Sequence, residues 1–368
     1  MAVRRWRLAI ATALAVAGCW LGSAPASAYV YWTNIADGAI GRANLDGSAP
    51  SQSFVTGASI PKWVAVDGRH LYWTNSGTDK IGRANLDGTG AKQSFIAGAS
   101  GLEGVAVDGQ HIYWANYDTY AIGRANLDGS SPNQSFIAGT PLTVGFPEGL
   151  AVDGQHVYWS NYAADSIGRA NIDGSSPDPN FIPGLDTPEG VAVDGQHIYW
   201  ANYGAHTIGR ANLDGSAPNQ SFIAVDGAPA GVAVDGQHIY WVNTYTNAIG
   251  RADLAGSRPN QTFIAATSVR RRGLAVDAGP SAPNTKIKKA KINSSKRKAT
   301  FKFKAKGEAD GFQCQLKRKH AHKKPKFKDC SSPKTYKHLK QGKYTFKARA
   351  VGSDGPDPSP ATDKFRIG

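Results

Sequence analysis

The chain has 368 residues with 42 Gly, 20 Pro, 9 Trp, 14 Tyr and one Met, a composition of β-structure and tight turns rather than helical packing. That length allows two or three domains with real cores. The formal net charge is +14, and beyond the amino terminus no stretch is apolar for long enough to span a bilayer, so no transmembrane segment is expected in the mature chain.

Residues 1–28 read as a targeting segment. Arg4, Arg5 and Arg7 form a positive start, Leu8 to Leu21 an apolar run, and Ala26-Ser27-Ala28 a small-residue cleavage site before Tyr29. Arg4-Arg5 also fits twin-arginine export. Val16-Ala17-Gly18-Cys19 offers an alternative, a lipoprotein box that would lipidate Cys19, although the apolar Trp20 and Leu21 better continue the hydrophobic run. The expectation is cleavage after Ala28 and a secreted, cell-surface or envelope-associated product.

Residues 29–279 hold 14 Lys and Arg against 22 Asp and Glu, net −8, whereas residues 280–368 hold 25 against 6, net +19. A mildly acidic body is thus joined to a strongly basic domain, with Ala278-Gly279-Pro280-Ser281-Ala282-Pro283 as the linker.

The body is repetitive. Trp32, Trp73, Trp114, Trp159, Trp200 and Trp241 are spaced by 41, 41, 45, 41 and 41 residues, a propeller-blade period. In the third unit four β-like runs (Val105–Val107, Ile112–Asn116, Ile122–Asn126, Gln134–Ile137) are separated by turns, two of them marked by Asp108-Gly109 and Asp128-Gly129. Four short strands per unit predict an all-β, six-bladed β-propeller. The Tyr-Trp runs begin at Tyr29, but the Val-Ala-Val runs begin at Val64 and end with Leu274–Val276. The ring closes if this last run completes the first blade, which removes the open sheet edges.

Tyr31-Trp32-Thr33-Asn34, Tyr72-Trp73-Thr74-Asn75 and Ile122-Gly123-Arg124-Ala125-Asn126-Leu127-Asp128-Gly129 resemble the YWTD repeat of the six-bladed propellers in low-density lipoprotein receptors. The resemblance covers residues 29–279 and implies the same shared-blade closure. One departure is uniform: Asn replaces the motif's acid at Asn34, Asn75, Asn116, Asn161, Asn202 and Asn243. An amide can still bridge backbone groups as donor and acceptor, but a salt bridge there is lost.

Repetition separates scaffold from site. Tyr113 and Trp114 point to opposite faces of a blade that packs on both sides, so these rings read as core. His111, His156, His197 and His238 read as turn residues. Arg42, Arg83, Arg124, Arg169, Arg210 and Arg251 read as bridges between blades, to carboxylates of the Asp108 type. The turns carrying these repeats share one face, and the freely varying loops share the other, where binding is expected. Before the innermost strand the varying position reads Lys62, Glu103, Glu148, Glu189, Ala230 and Arg272, with Trp63 in place of Gly beside Lys62. Tyr117, Tyr162, Tyr203 and His206 join that face, as do Asp37, Asp79, Asp118, Tyr120, Asp165, Tyr245 and the Thr140–Phe146 insertion. Rings with carboxylates suit a peptide or a carbohydrate ligand. No cofactor, metal or catalytic residue is assigned: His206 is the sole histidine of these loops and has no ligand-spaced companion. A loop-assembled lyase or hydrolase site on the same face, as in streptogramin lyases and related propellers, is the alternative.

The basic domain alternates apolar and lysine residues in Phe301–Lys306 and Tyr344–Ala350, the pattern of a half-buried sheet. Cys314 and Cys330 are expected to pair, since they share one small exported region. Phe312-Gln313-Cys314 with Cys330-Ser331-Ser332-Pro333 resembles immunoglobulin-like or fibronectin-type modules of secreted bacterial proteins. Two readings of the charge stand side by side, solubility and adhesion to an anionic envelope polymer or glycan. Nucleic acid is disfavoured, because aromatic interleaving for base stacking is absent outside core positions.

Overall fold

The computed structural model describes residues 28–139, 145–265, 270–277, 284–306, 309, 311–319, 325–352, 355–356 and 360–368. The expected targeting segment up to residue 27, most of the Thr140–Phe146 insertion and the expected linker fall outside them. The chain divides into two compact units, one spanning Ser27–Ser281 and the other including Ala282–Gly368.

The first unit consists of six four-stranded antiparallel sheets. The third is typical, with Leu102–Val107 innermost, then His111–Asn116, Ala121–Asn126 and Asn133–Ile137 at the rim. The first is composite. Its inner strand, Arg271–Asp277, comes from the far end and pairs with Tyr29–Asn34 in the register Val30↔Val276 and Tyr31↔Ala275. The inner strands contact one another in a closed cycle. Their Val-Ala-Val segments line an open pocket around the axis.

The repeated aromatics are the core. Every Tyr-Trp pair is fully buried, each ring contributing roughly 2–3 kcal/mol. Trp114 lies over Gly123, where a Cβ would sit 2.1 Å from the indole, so the glycine of each Ile-Gly-Arg strand makes room for a ring. Asn116 donates to the Gln134 carbonyl at 2.7 Å and accepts from the Ser100 N–H at 3.1 Å. The amide thus ties the rim strand to the connection before the blade, as expected for Asn at this position.

The turn histidines stay in their turns. Asp108 accepts from the Gln110 and His111 N–H groups, both at 2.6 Å, and from the Tyr113 hydroxyl at 2.9 Å. That carboxylate is fully engaged, which corrects the expectation for the arginines. Arg42 bridges to the next blade through the Leu86 carbonyl, at 3.3 Å, and stacks 3.8 Å from the Phe54 ring. Arg251 does the same to Leu45, at 3.0 Å, across the closure.

The second unit is a two-layer sandwich. Asn284–Asn293, Lys298–Lys306 and Lys334–Tyr336 form one sheet, and Lys328–Cys330, Gly311–Arg318, Gly342–Gly352 and Ala361–Ile367 build the other. Phe301 and Phe346 stack between them at 4.0 Å, and Cys314 and Cys330 form a disulfide.

Candidate functional site

The varying position before each inner strand converges on the propeller axis. The glycine that follows it allows this convergence. A Cβ on Gly104 would lie 2.1 Å from the Glu148 carbonyl oxygen, and on Gly149, Gly190, Gly231 and Gly273 it would lie 2.4–2.5 Å from the corresponding carbonyl of the next blade. Neighbouring backbones touch there, so the adjoining side chains crowd into one ring. Trp63 is the exception. It is only 5% exposed and packs between the second and third blades with Leu102 and Trp114. Its ring is core, which corrects its placement at the mouth.

Lys62, Glu103, Glu148, Glu189 and Arg272 do come together. Lys62 pairs with Glu103. Arg272 reaches Glu148 at 2.8 Å and Glu189 at 3.4 Å, beside the small Ala230. The three carboxylates are nearly buried and outnumber the two cations. Burial pushes Glu148 up to about 7, against Arg272 and assisted by the charges of Glu189 and Glu103. Glu189 is raised by burial as well. Burial alone would depress Arg272, but Glu189, Glu148 and Glu103 together outweigh it and hold the guanidinium above its ordinary value.

The sign of the linkage follows from the raised carboxyls. Between the ordinary 4.5 and about 7 the folded state binds more protons than the unfolded chain, so stability falls as pH rises through that window. Denaturant melts at pH 5 and pH 7.5 are expected to differ by roughly 1–3 kcal/mol from this cluster, with the higher pH less stable. Glu148→Gln should flatten the fall and leave a smaller slope from Glu189; an unchanged slope would refute the assignment.

Aromatic groups flank the ring in two clusters. Tyr117 and Tyr120 pack on Phe146 at 5.1 and 4.8 Å, and Tyr117 is raised by burial and then by the charges of Glu148 and Glu103. Tyr162 stands at the start of a short 3-10 turn and also acts on Tyr117. On the other side Tyr203, Thr244 and Tyr245 line a cavity of about 170 Å³ with Glu189 and Arg270, Arg271 and Arg272. His206 packs edge-on against Tyr245 at 5.4 Å. Among the loop acids, Asp79 and Asp165 are used structurally, accepting from the Leu102 and Thr187 N–H groups at 3.0 and 2.8 Å. Sequence reasoning missed Arg270 and Arg271. Comparison of the blades held the signal, since Arg271 occupies the position of Pro61, Leu102, Pro147, Pro188 and Pro229.

The basic unit carries a charged face of its own. Strand register aligns Lys319, Lys343 and Arg366 in one row and Lys317, Thr345 and Lys364 in the next. Rows lie ~7 Å apart and strands ~5 Å apart, so five cations form a grid around a cavity of about 540 Å³. The aromatic Tyr344 alternates to the core side and is buried.

Residues 155–194 match the family model of the low-density lipoprotein receptor repeat class B. A chain of a nidogen/laminin complex superposes with a TM-score of 0.57 at 22% identity, covering 68% of this chain and 98% of that one. A streptogramin B lyase gives 0.51 at 16% identity, with coverages of 77% and 95%. A protein of unknown function from Bacteroides caccae gives 0.51 at 12%, with coverages of 68% and 99%. These likenesses establish the propeller fold. No curated protein matches the chain. Among the described residues no helix is long and apolar enough to cross a membrane.

Proposed function

We propose that this β-propeller of low-density lipoprotein receptor class B-type repeats, followed by a basic immunoglobulin-like sandwich, is an exported bacterial binding or adhesion protein. The variable propeller face takes a peptide or carbohydrate ligand. The basic domain associates with an anionic envelope polymer or glycan through its lysine grid. The observation that carries this reading is the split between the two faces. One rim repeats the same Asp-capped turns, while the other gathers a buried charge ring flanked by Tyr117, Tyr162, Tyr203 and Tyr245. Rings beside fixed charges suit ligands with both apolar and polar faces.

Peptide and glycan arrays probed with the mature chain test the propeller. Binding should fall at least about tenfold in Tyr117→Ala/Tyr203→Ala and stay unchanged in Gln110→Ala/Gln196→Ala on the repeated rim. Equal losses would remove the face assignment. For the basic domain, retention on an acidic polysaccharide should weaken steeply with salt and on Lys317→Glu/Lys343→Glu/Lys364→Glu. Salt-independent retention, or a preference for single-stranded DNA, would contradict the envelope reading.

A lyase or hydrolase remains the second reading, favoured by Glu189 with its raised carboxyl in one cavity with Tyr203 and Tyr245. A stoichiometric transition metal lost on His206→Ala would shift the assignment to it.

A further inference from the structure

Among the described residues Arg271 is a cation buried in the propeller core with no carboxylate paired to it. It is fully buried, and none of the ion pairs among the described residues includes it. One terminal nitrogen donates to Gln52 at 3.0 Å and, weakly, to the Ala265 carbonyl at 3.4 Å. Nε and Nη1 have no acceptor, and the guanidinium otherwise faces the Trp32 ring at 4.9 Å. A cation taken out of water needs a counter-charge, and the fold does not require this one. The register that pairs Arg271 with Asn34 pairs Pro61, Leu102, Pro147, Pro188 and Pro229 with the equivalent asparagines.

Arg271 also lines the 170 Å³ cavity. Arg272 in that lining is already held by Glu148 and Glu189, and Arg270 acts on Glu189 through space, which leaves Arg271 as the positive charge of the lining without a carboxylate. Thr244, Tyr203 and Tyr245 add hydroxyl groups. The volume admits a small planar anion and a few attached atoms, not a whole oligomeric ligand. A guanidinium fork is the group that best matches a carboxylate.

We infer that this cavity is a receptor for a carboxylate group, seated against Arg270 and Arg271 with the tyrosines at its side. The inference rests on the variable face being the ligand face, and it names the chemistry recognised there. The carboxylate can come from a peptide terminus or from a uronic acid.

The experiment is thermal melting and calorimetric titration of the mature chain at fixed ionic strength. The probes are acetate, glucuronate with glucose as control, and an N-acetylated tripeptide as free acid or amide, all against chloride. Acetate should raise the melting temperature above chloride. The source is whichever of glucuronate or free-acid peptide binds more tightly than its uncharged control. Arg271→Leu should abolish the response, Arg270→Ala weaken it at least about tenfold, and Arg258→Ala on the opposite rim retain it. In chloride without any carboxylate, Arg271→Leu should melt higher than the parent, as removal of an unpaired buried charge requires. Carboxylates no better than chloride, or an Arg271→Leu chain that responds like the parent, would overturn the receptor. Array binding that survives in Arg271→Leu alongside such a failure would leave the face assignment intact. A carboxylate response with blank arrays would keep the receptor and remove only the peptide or carbohydrate reading of its ligand.

Discussion

A chain of residues 29–265 is expected to aggregate, whereas one of residues 29–281 is expected to stay monomeric and folded. The difference is the inner strand Arg271–Asp277. Without it, Tyr29–Asn34 keeps Ala39–Asn44 on one side but loses its inner neighbour and becomes a bare sheet edge carrying Tyr-Val-Tyr-Trp-Thr-Asn. Such an edge, rich in aromatic and β-branched residues and free of charge, recruits other strands. The seam between the last and first blades also loses Leu274 from its contacts with Trp32, Val30 and Tyr240. Light scattering after size exclusion reads the outcome. A stable monomer ended at Ala265 would mean that the ring does not depend on closure by this strand.

Gly104→Val should be nearly as damaging. The Cβ would meet the backbone oxygen of Glu148 at 2.1 Å, and no side chain can rotate away to relieve the clash. The inner strands would have to separate, carrying the charge ring with them, at a cost of at least about 3 kcal/mol. Gly109→Ala is the matched control. Nothing lies within 4 Å of its Cβ, so urea midpoints should shift by less than about 0.5 kcal/mol equivalent. Similar losses at both positions would show that glycine serves chain flexibility here rather than close approach.

The fold was legible because each blade repeats its constraints. The 41-residue spacing, the Tyr-Trp alternation and the displaced last Val-Ala-Val run together demand a ring closed by its own far end. The charge ring was also legible, because its positions follow the template while their side chains do not. Contact partners were not. The arginines of the third strands were expected to find carboxylates, but the Asp108-type groups are saturated by their own turns and tyrosines, which leaves carbonyls and phenyl rings. Trp63 follows Lys62 in sequence, yet its indole turns into the seam between blades. Arg271 was hidden for the opposite reason: its meaning lies in the apolar residues that the other blades place there. The charge of the basic unit was plain from composition, whereas the grid depends on a register that only pairing fixes.

The most direct measurement is hydrogen–deuterium exchange of a chain of residues 29–368, alone and with a saturating ligand identified on the arrays. Protection should appear in the loops at 117–120, 162–165, 203–206 and 244–247 and in the segment at 270–272. The Asp-Gly-Gln-His turns at 108–111, 153–156 and 194–197 should exchange unchanged. Protection confined to those repeated turns would contradict the division of the propeller into an invariant rim and a binding rim.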